Sequence, residues 1–203
     1  MSITTIIGPM FSGKTSELIR LIDRKRIAGK KCLIIKHTQD TRFDNDITDQ
    51  CCRDNSLCSK HVTTYSEIKY HKCDIDYLSE VNNHRAAIYI KYGYQVIGIE
   101  EGFFFSGITE FCNELANNGI EIIVATLESS YKQELFPEIG SLIANSEYVI
   151  KLTAICIRCK DREASFNIRI VDSDKEILVG GMDMYQCVCR KCLLEFQHRH
   201  HHN

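Results

Sequence analysis

Eight residues near the amino terminus, Gly8-Pro9-Met10-Phe11-Ser12-Gly13-Lys14-Thr15, spell G-x-x-x-x-G-K-[ST] without a mismatch. Few short patterns restrict a fold so strongly. Glycines let backbone N–H groups curl around phosphate oxygens, and the helix that follows turns the positive end of its dipole toward them. The lysine reaches the β- and γ-phosphates, and the adjoining hydroxyl helps hold Mg2+. Residues 8–15 therefore predict an ATP site in which Lys14 and Thr15 take those roles. A chance match in a surface turn would lack the right neighbours, and here they are present. Residues 2–7 are a β-rich run, and Leu18, Ile19, Leu21, Ile22 and Ile27 recur near helical spacing, with Gly29 placed as a C-cap. A second apolar run at 31–36 completes a strand-loop-helix-strand order, the start of a parallel α/β sheet.

Further strands are predicted at 95–100, 120–126 and 147–152, and helices at 108–117 and 138–144. The run at 95–100 ends in two acids, Glu100 and Glu101. In phosphate-loop folds an acid-bearing strand serves the Mg2+, and this one is expected next to the first strand. Adjacent strand residues point to opposite faces. One carboxylate can thus face the metal while the other accepts a proton from a hydroxyl nucleophile. Residues 43–94 carry Cys51, Cys52, Cys58 and Cys73 with weak periodicity and read as a variable stretch, a candidate insertion.

A chain of 203 residues fits one α/β domain, taken as 1–152, with a small appendage at 153–196 and a tail at 197–203. A formal net charge of −2 provides no basic field for nucleic acid or membrane, and no apolar run approaches the length of a bilayer span. Without a basic, apolar leader the chain reads as cytoplasmic, where thiols stay reduced. Its eleven cysteines then need another explanation than disulfides. Cys156-x-x-Cys159 and Cys189-x-x-Cys192 form two knuckles able to close a four-sulfur shell around a structural Zn2+. The 29 residues between Cys159 and Cys189 imply a sizeable loop thrown out from the metal. Cys187 is a rival ligand, less favoured because it breaks the two-residue spacing; Cys32 and Cys112 read as core residues.

The phosphate loop with Glu17-Leu18-Ile19-Arg20, Asp40-Thr41-Arg42, the run 149–154, both knuckles, Glu163-Ala164-Ser165-Phe166, Gly180-Gly181 and Asp183-Met184-Tyr185 together resemble the thymidine kinases of animal cells, bacteria and poxviruses. The likeness covers nearly all the chain outside residues 43–94. It implies a RecA-like P-loop domain, a zinc domain whose "lasso" loop closes over the nucleoside, and ATP-dependent phosphorylation of thymidine, with deoxyuridine a second candidate substrate. By position it implies Glu101 as catalytic base and Glu100 as the metal-side acid. Asp40 falls on the deoxyribose contact with Arg42 in the same loop, and Met10, Phe104, Tyr131, Phe136 and Tyr185 fall on the base pocket. It also implies a homotetramer and inhibition by dTTP.

Several positions depart from the family pattern. D-E-G/A-Q-F-F appears as Glu100-Glu101-Gly102-Phe103-Phe104-Phe105, and the basic F-Q-R-K-P-F as Tyr131-Lys132-Gln133-Glu134-Leu135-Phe136. Asp49-Gln50 stands where T-H-D is usual. The departures keep open a relic that binds nucleoside or nucleotide without turnover. A zinc-ribbon ATPase acting on nucleic acid lacks the basic, aromatic-studded stripe it would need.

Overall fold

The computed structural model describes residues 1–40, 63–64, 68–69, 73–172 and 180–200. The elements run β1 (Ser2–Ile7), α1 (Lys14–Ile27), β2 (Cys32–His37), a short hairpin of β3 (Thr63–Thr64) and β4 (Ile68–Lys69), β5 (Asp74–Leu78), α2 (Asn83–Lys91) and β6 (Val96–Glu100). After one 3-10 turn (Gly102–Phe104) come α3 (Ile108–Asn117), β7 (Glu121–Thr126), α4 (Pro137–Ala144) and β8 (Tyr148–Lys151). The final third holds β9 (Ala154–Ile155), β10 (Glu163–Ala164), β11 (Phe166–Arg169), β12 (Tyr185–Val188) and α5 (Arg190–His200).

Six strands form one parallel sheet in the order β5-β2-β6-β7-β1-β8. Contrary to the expectation from sequence, the acid-bearing strand β6 does not lie beside the phosphate-loop strand; β7 lies between them. The apolar runs of β2, β6 and β7 are continuous because both faces are covered. Leu33, Ile35, Ile97 and Ile99 pack under α2, α3 and α4 with Tyr89, Phe111 and Leu142. Ile34, Val96 and Ile123 face α1 through Leu18, Ile19 and Ile22. Gly98 sets the height of α1 above β6. A Cβ there would stand 3.1 Å from Ile22 Cδ1 and 3.2 Å from Leu18 Cδ1, so the missing side chain lets the helix lie close.

Part of the stretch read as a candidate insertion belongs to this sheet. Residues 74–91 supply an edge strand and a helix, and Tyr89 and Ala86 are fully buried. Tyr94 and Tyr89 each donate a 2.6 Å hydrogen bond, to Asp74 and Asp76 respectively, which lets β5 carry acids against the core. Asn82 caps α2 by accepting the Arg85 N–H.

Beyond β8 the parallel sheet stops. Two antiparallel pairs, β9 with β10 and β11 with β12, surround a second small core of Ala154, Ala164, Ile168, Val188 and Leu193 with Cys156, Cys189 and Cys192.

Candidate active site

The phosphate loop leaves β1 at Gly8, whose N–H donates to Glu128 Oε2 at 2.9 Å; Lys151 lies 3.3 Å from the other oxygen of that carboxylate. An added Cβ at Gly8 would stand 2.5 Å from Leu152 O, so only glycine fits the turn. Lys14 is buried and its Nζ donates to Pro9 O at 2.8 Å, curled back over the loop. The Ser12 hydroxyl is buried without a hydrogen-bond partner among the described residues. A close-wound loop, an interior lysine and an orphan hydroxyl fit a phosphate chain.

The two acids diverge more than simple strand alternation implies. Glu100, at the end of β6, is 2 % exposed. Thr15 Oγ1 donates to its Oε1 at 2.6 Å, and Lys36 Nζ stands 3.6 Å from its Oε2. Burial raises the Glu100 pKa, opposed by the Lys36 charge and the Thr15 hydrogen bond. The Thr15–Glu100 contact spans the gap left by β7 because α1 lies close on β6. Thr15 and Glu100 together could hold a divalent cation. Glu101 is outside the strand, half-buried, with left-handed backbone (φ 51°, ψ 51°) at the start of the 3-10 turn. Such a conformation costs a non-glycine residue about 1–3 kcal/mol and persists where the surroundings enforce it. It sets Glu101 off the strand that carries Glu100, at the start of the turn.

Asp40 is buried just past β2, its N–H donating to His37 O at 3.0 Å. Arg42 lies outside the described residues. Phe104 stacks on His37 (5.1 Å, 19°), and Phe103 joins Phe104 (4.2 Å) to Phe136 (5.3 Å). Phe103 thus replaces the usual amide with aromatic packing. Tyr131 is covered by the Arg169 guanidinium 3.9 Å above its ring, and Tyr185 pairs with Arg169 in the β11–β12 ladder. Met10 is buried, and its N–H donates to Asn167 Oδ1. Phe103, Phe104 and Phe136 therefore form one group on the 3-10 turn and at the start of α4, while Tyr131, in the loop 129–135, and Tyr185, on β12, flank Arg169 of β11.

Sequence reasoning passed over Lys36, His37, Glu128, Asn167 and Arg169. Lys36 carried a signal, a charge ending an otherwise apolar strand; the others carried none. His37 is held neutral from both sides: Nδ1 accepts the Gln39 N–H at 3.1 Å, so Nε2–H donates to Ser79 O at 3.1 Å. Burial lowers its pKa from the ordinary 6.5, against the raising effects of the Ser79 bond and Asp40. Its stabilising contribution is complete above 6.5 and is lost as pH falls from there through the lower folded value. Thermal melts from about pH 7.5 to about pH 5.5 are expected to lose more stability in the wild type than in His37→Gln. Equal slopes would show that the ring is not held neutral.

The four knuckle sulfurs of Cys156, Cys159, Cys189 and Cys192 lie within 4.8 Å of one another. Cys159 and Cys189 Sγ are 3.9 Å apart, close to the edge of about 3.8 Å that a tetrahedron with Zn–S bonds of about 2.3 Å requires. Burial pushes the Cys156 thiol up, but the N–H groups of Cys159, Cys189 and Arg158 outweigh it and bring the pKa down to about 6. The cluster can therefore hold a metal ion. Cys187 is not among these converging sulfurs; its Sγ donates to Ile155 O at 3.3 Å.

Sheet order, phosphate loop and acid-bearing strand define a P-loop α/β protein with a four-cysteine appendage, the architecture of a nucleotide-dependent phosphotransferase. A sequence model of the family described as "Thymidine kinase" matches residues 1–193. The chain is 61% identical over 193 residues to the thymidine kinase of Acanthamoeba polyphaga mimivirus, covering 95% of this chain and 82% of that one. It is 40% identical over 190 residues to thymidine kinase 1 of Dictyostelium discoideum, covering 94% and 76%. With the thymidine kinase of vaccinia virus it shares 39% over 194 residues, 95% and 97% of the two chains. The chain belongs to the thymidine kinase family.

Proposed function

We propose that this chain is a thymidine kinase, moving the γ-phosphate of ATP to the 5′-hydroxyl of thymidine. The observation that carries the reading is the Thr15–Glu100 contact across the phosphate loop of a chain in this family. Residues 8–15 would wrap the phosphates, with Lys14 leaving Pro9 O for the β- and γ-oxygens. Thr15 and Glu100 would hold Mg2+, which would supply positive charge to offset that of the phosphate oxygens. Glu100 is one methylene longer than the usual aspartate, yet it reaches the Thr15 hydroxyl, which favours a working site over a relic.

Glu101 would orient the 5′-hydroxyl and accept its proton as that oxygen attacks the γ-phosphorus in line and ADP leaves. Asp40, with Arg42 in its loop, would bind the deoxyribose. Met10, Phe104, Tyr131, Phe136 and Tyr185 would line the base pocket under the lasso. A structural Zn2+ on Cys156, Cys159, Cys189 and Cys192 would anchor that loop. A four-cysteine site suited to a metal ion supports a cytoplasmic setting. An edge strand β8 exposing Tyr148 and Val149 supports subunit contacts of the homotetramer the family implies, with dTTP as feedback ligand.

The test is product formation with a panel of nucleosides, ATP and Mg2+. Thymidine should be phosphorylated, and deoxyuridine, lacking one methyl, less efficiently by about 10–200-fold at most. Turnover of purine nucleosides but not thymidine would contradict the reading.

A further inference from the structure

Four segments distant in sequence meet at two side-chain amides. Asn167, in β11, is buried, and its Oδ1 accepts the Met10 N–H at 2.9 Å. Because an N–H must face an acceptor, this contact fixes which way the Asn167 amide points. The Asn167 carbonyl accepts a hydrogen bond from Gln133 Nε2 at 3.3 Å, and the same nitrogen also donates to Tyr131 O. Gln133 Oε1 accepts from Gln197 Nε2, in α5, at 3.2 Å. Gln133 has a left-handed backbone (φ 64°), which a non-glycine residue keeps only where its surroundings secure it. Its amide is committed at both ends. Close by, Arg169 donates to the Tyr131 hydroxyl at 2.8 Å while covering that ring.

Gln133 replaces a basic residue of the family pattern. It does not leave a gap but forms a hub of neutral hydrogen bonds. The hub ties the phosphate loop at Met10, the loop 129–135, the strand from which the lasso departs, and α5. Met10 belongs both to the phosphate loop and to the base pocket implied by the resemblance, so its backbone is shared by the two substrate sites.

We propose that Asn167 is a positioning residue for phosphoryl transfer, seconded by Gln133 and Gln197, which locks Met10 to the lasso strand and so couples binding of nucleotide and nucleoside. The inference rests on the kinase reading above. The physical reason is that either ligand restrains Met10. Through Asn167 that restraint extends to β11, so the second ligand finds a backbone already ordered. Coupling of this kind is reciprocal, typically about 5–150-fold in affinity.

The experiment measures thymidine affinity by calorimetry on the full, zinc-loaded chain, with and without saturating non-hydrolysable ATP analogue and Mg2+. Wild type is expected to bind thymidine at least about fivefold more tightly with the analogue. In Asn167→Ala and Gln133→Ala that ratio should fall to within about twofold of unity, and the double variant should lose no more than either single one. Gln197→Ala lies at the half-buried rim and should lose part of the ratio with zinc content and melting temperature kept. It decides the matter if the Asn167 variant does not fold. Absence of coupling in wild type, or full coupling in folded hub variants, would overturn the proposal. Wild type that binds the analogue but never thymidine would instead overturn the kinase reading itself.

Discussion

Glu101→Gln is expected to lower kcat by about 10²–10⁴, the range that a positioned general base supplies, while ATP binding stays within about twofold. Glutamine keeps the size and hydrogen-bonding reach of the side chain but cannot take the 5′-hydroxyl proton. Structural damage should be small, because Glu101 is half-buried and stands after β6 rather than in it. The neighbouring acid provides the contrast. Glu100 is buried and engaged by Thr15 and Lys36, so Glu100→Gln should weaken Mg2+-dependent ATP binding as well as turnover. Steady-state kinetics with separate nucleotide titrations distinguish the two. A Glu101→Gln enzyme within about tenfold of wild type would fall short of a base's expected contribution and move that role elsewhere.

Cys156→Ser, or prolonged chelation, is expected to remove the metal, melt the unit from β9 to α5 and abolish phosphorylation of thymidine. The small core there is not self-sufficient. It consists of Ala154, Ala164, Ile168, Val188 and Leu193 packed against the knuckle cysteines, far less apolar surface than the two layers of the main sheet. Structural zinc typically contributes about 10–16 kcal/mol of apparent binding energy in small domains, and that energy is folding energy. The six-stranded sheet has its own core and should keep ATP binding, although the Met10–Asn167 tie would go. Zinc content, circular dichroism and nucleotide titration check this. Full activity in a metal-free protein would contradict the anchoring role.

Much of this was legible because the signals were local. The phosphate loop, the run into Glu100 and Glu101, and the paired knuckles each need particular residue types at fixed spacing, and the knuckle sulfurs do converge. The strands at 2–7, 95–100 and 120–126 stood out because both their faces are buried, so apolar residues run on without interruption. β5 did not stand out. Asp74 and Asp76 break its apolar pattern, and only the fold supplies Tyr94 and Tyr89 as their partners. The strand order was equally hidden, since nothing in β7 announces that it will lie between β1 and β6. Asn167 looked like an ordinary polar residue and Gln133 only like a departure from the family's basic pattern; that Asn167 joins Met10 to Gln133 depends on contacts across most of the chain. Gly98 could have been noticed: a glycine in the middle of an apolar strand marks a close approach, here that of α1.

The most direct measurement is phosphate transfer from γ-labelled ATP to thymidine with Mg2+, comparing wild type with Lys14→Ala. Labelled thymidine monophosphate should form with the wild type and vanish with the variant, because Lys14 is the cation wound into the phosphate loop. A zinc-loaded wild type that binds ATP yet makes no thymidine monophosphate would contradict the account.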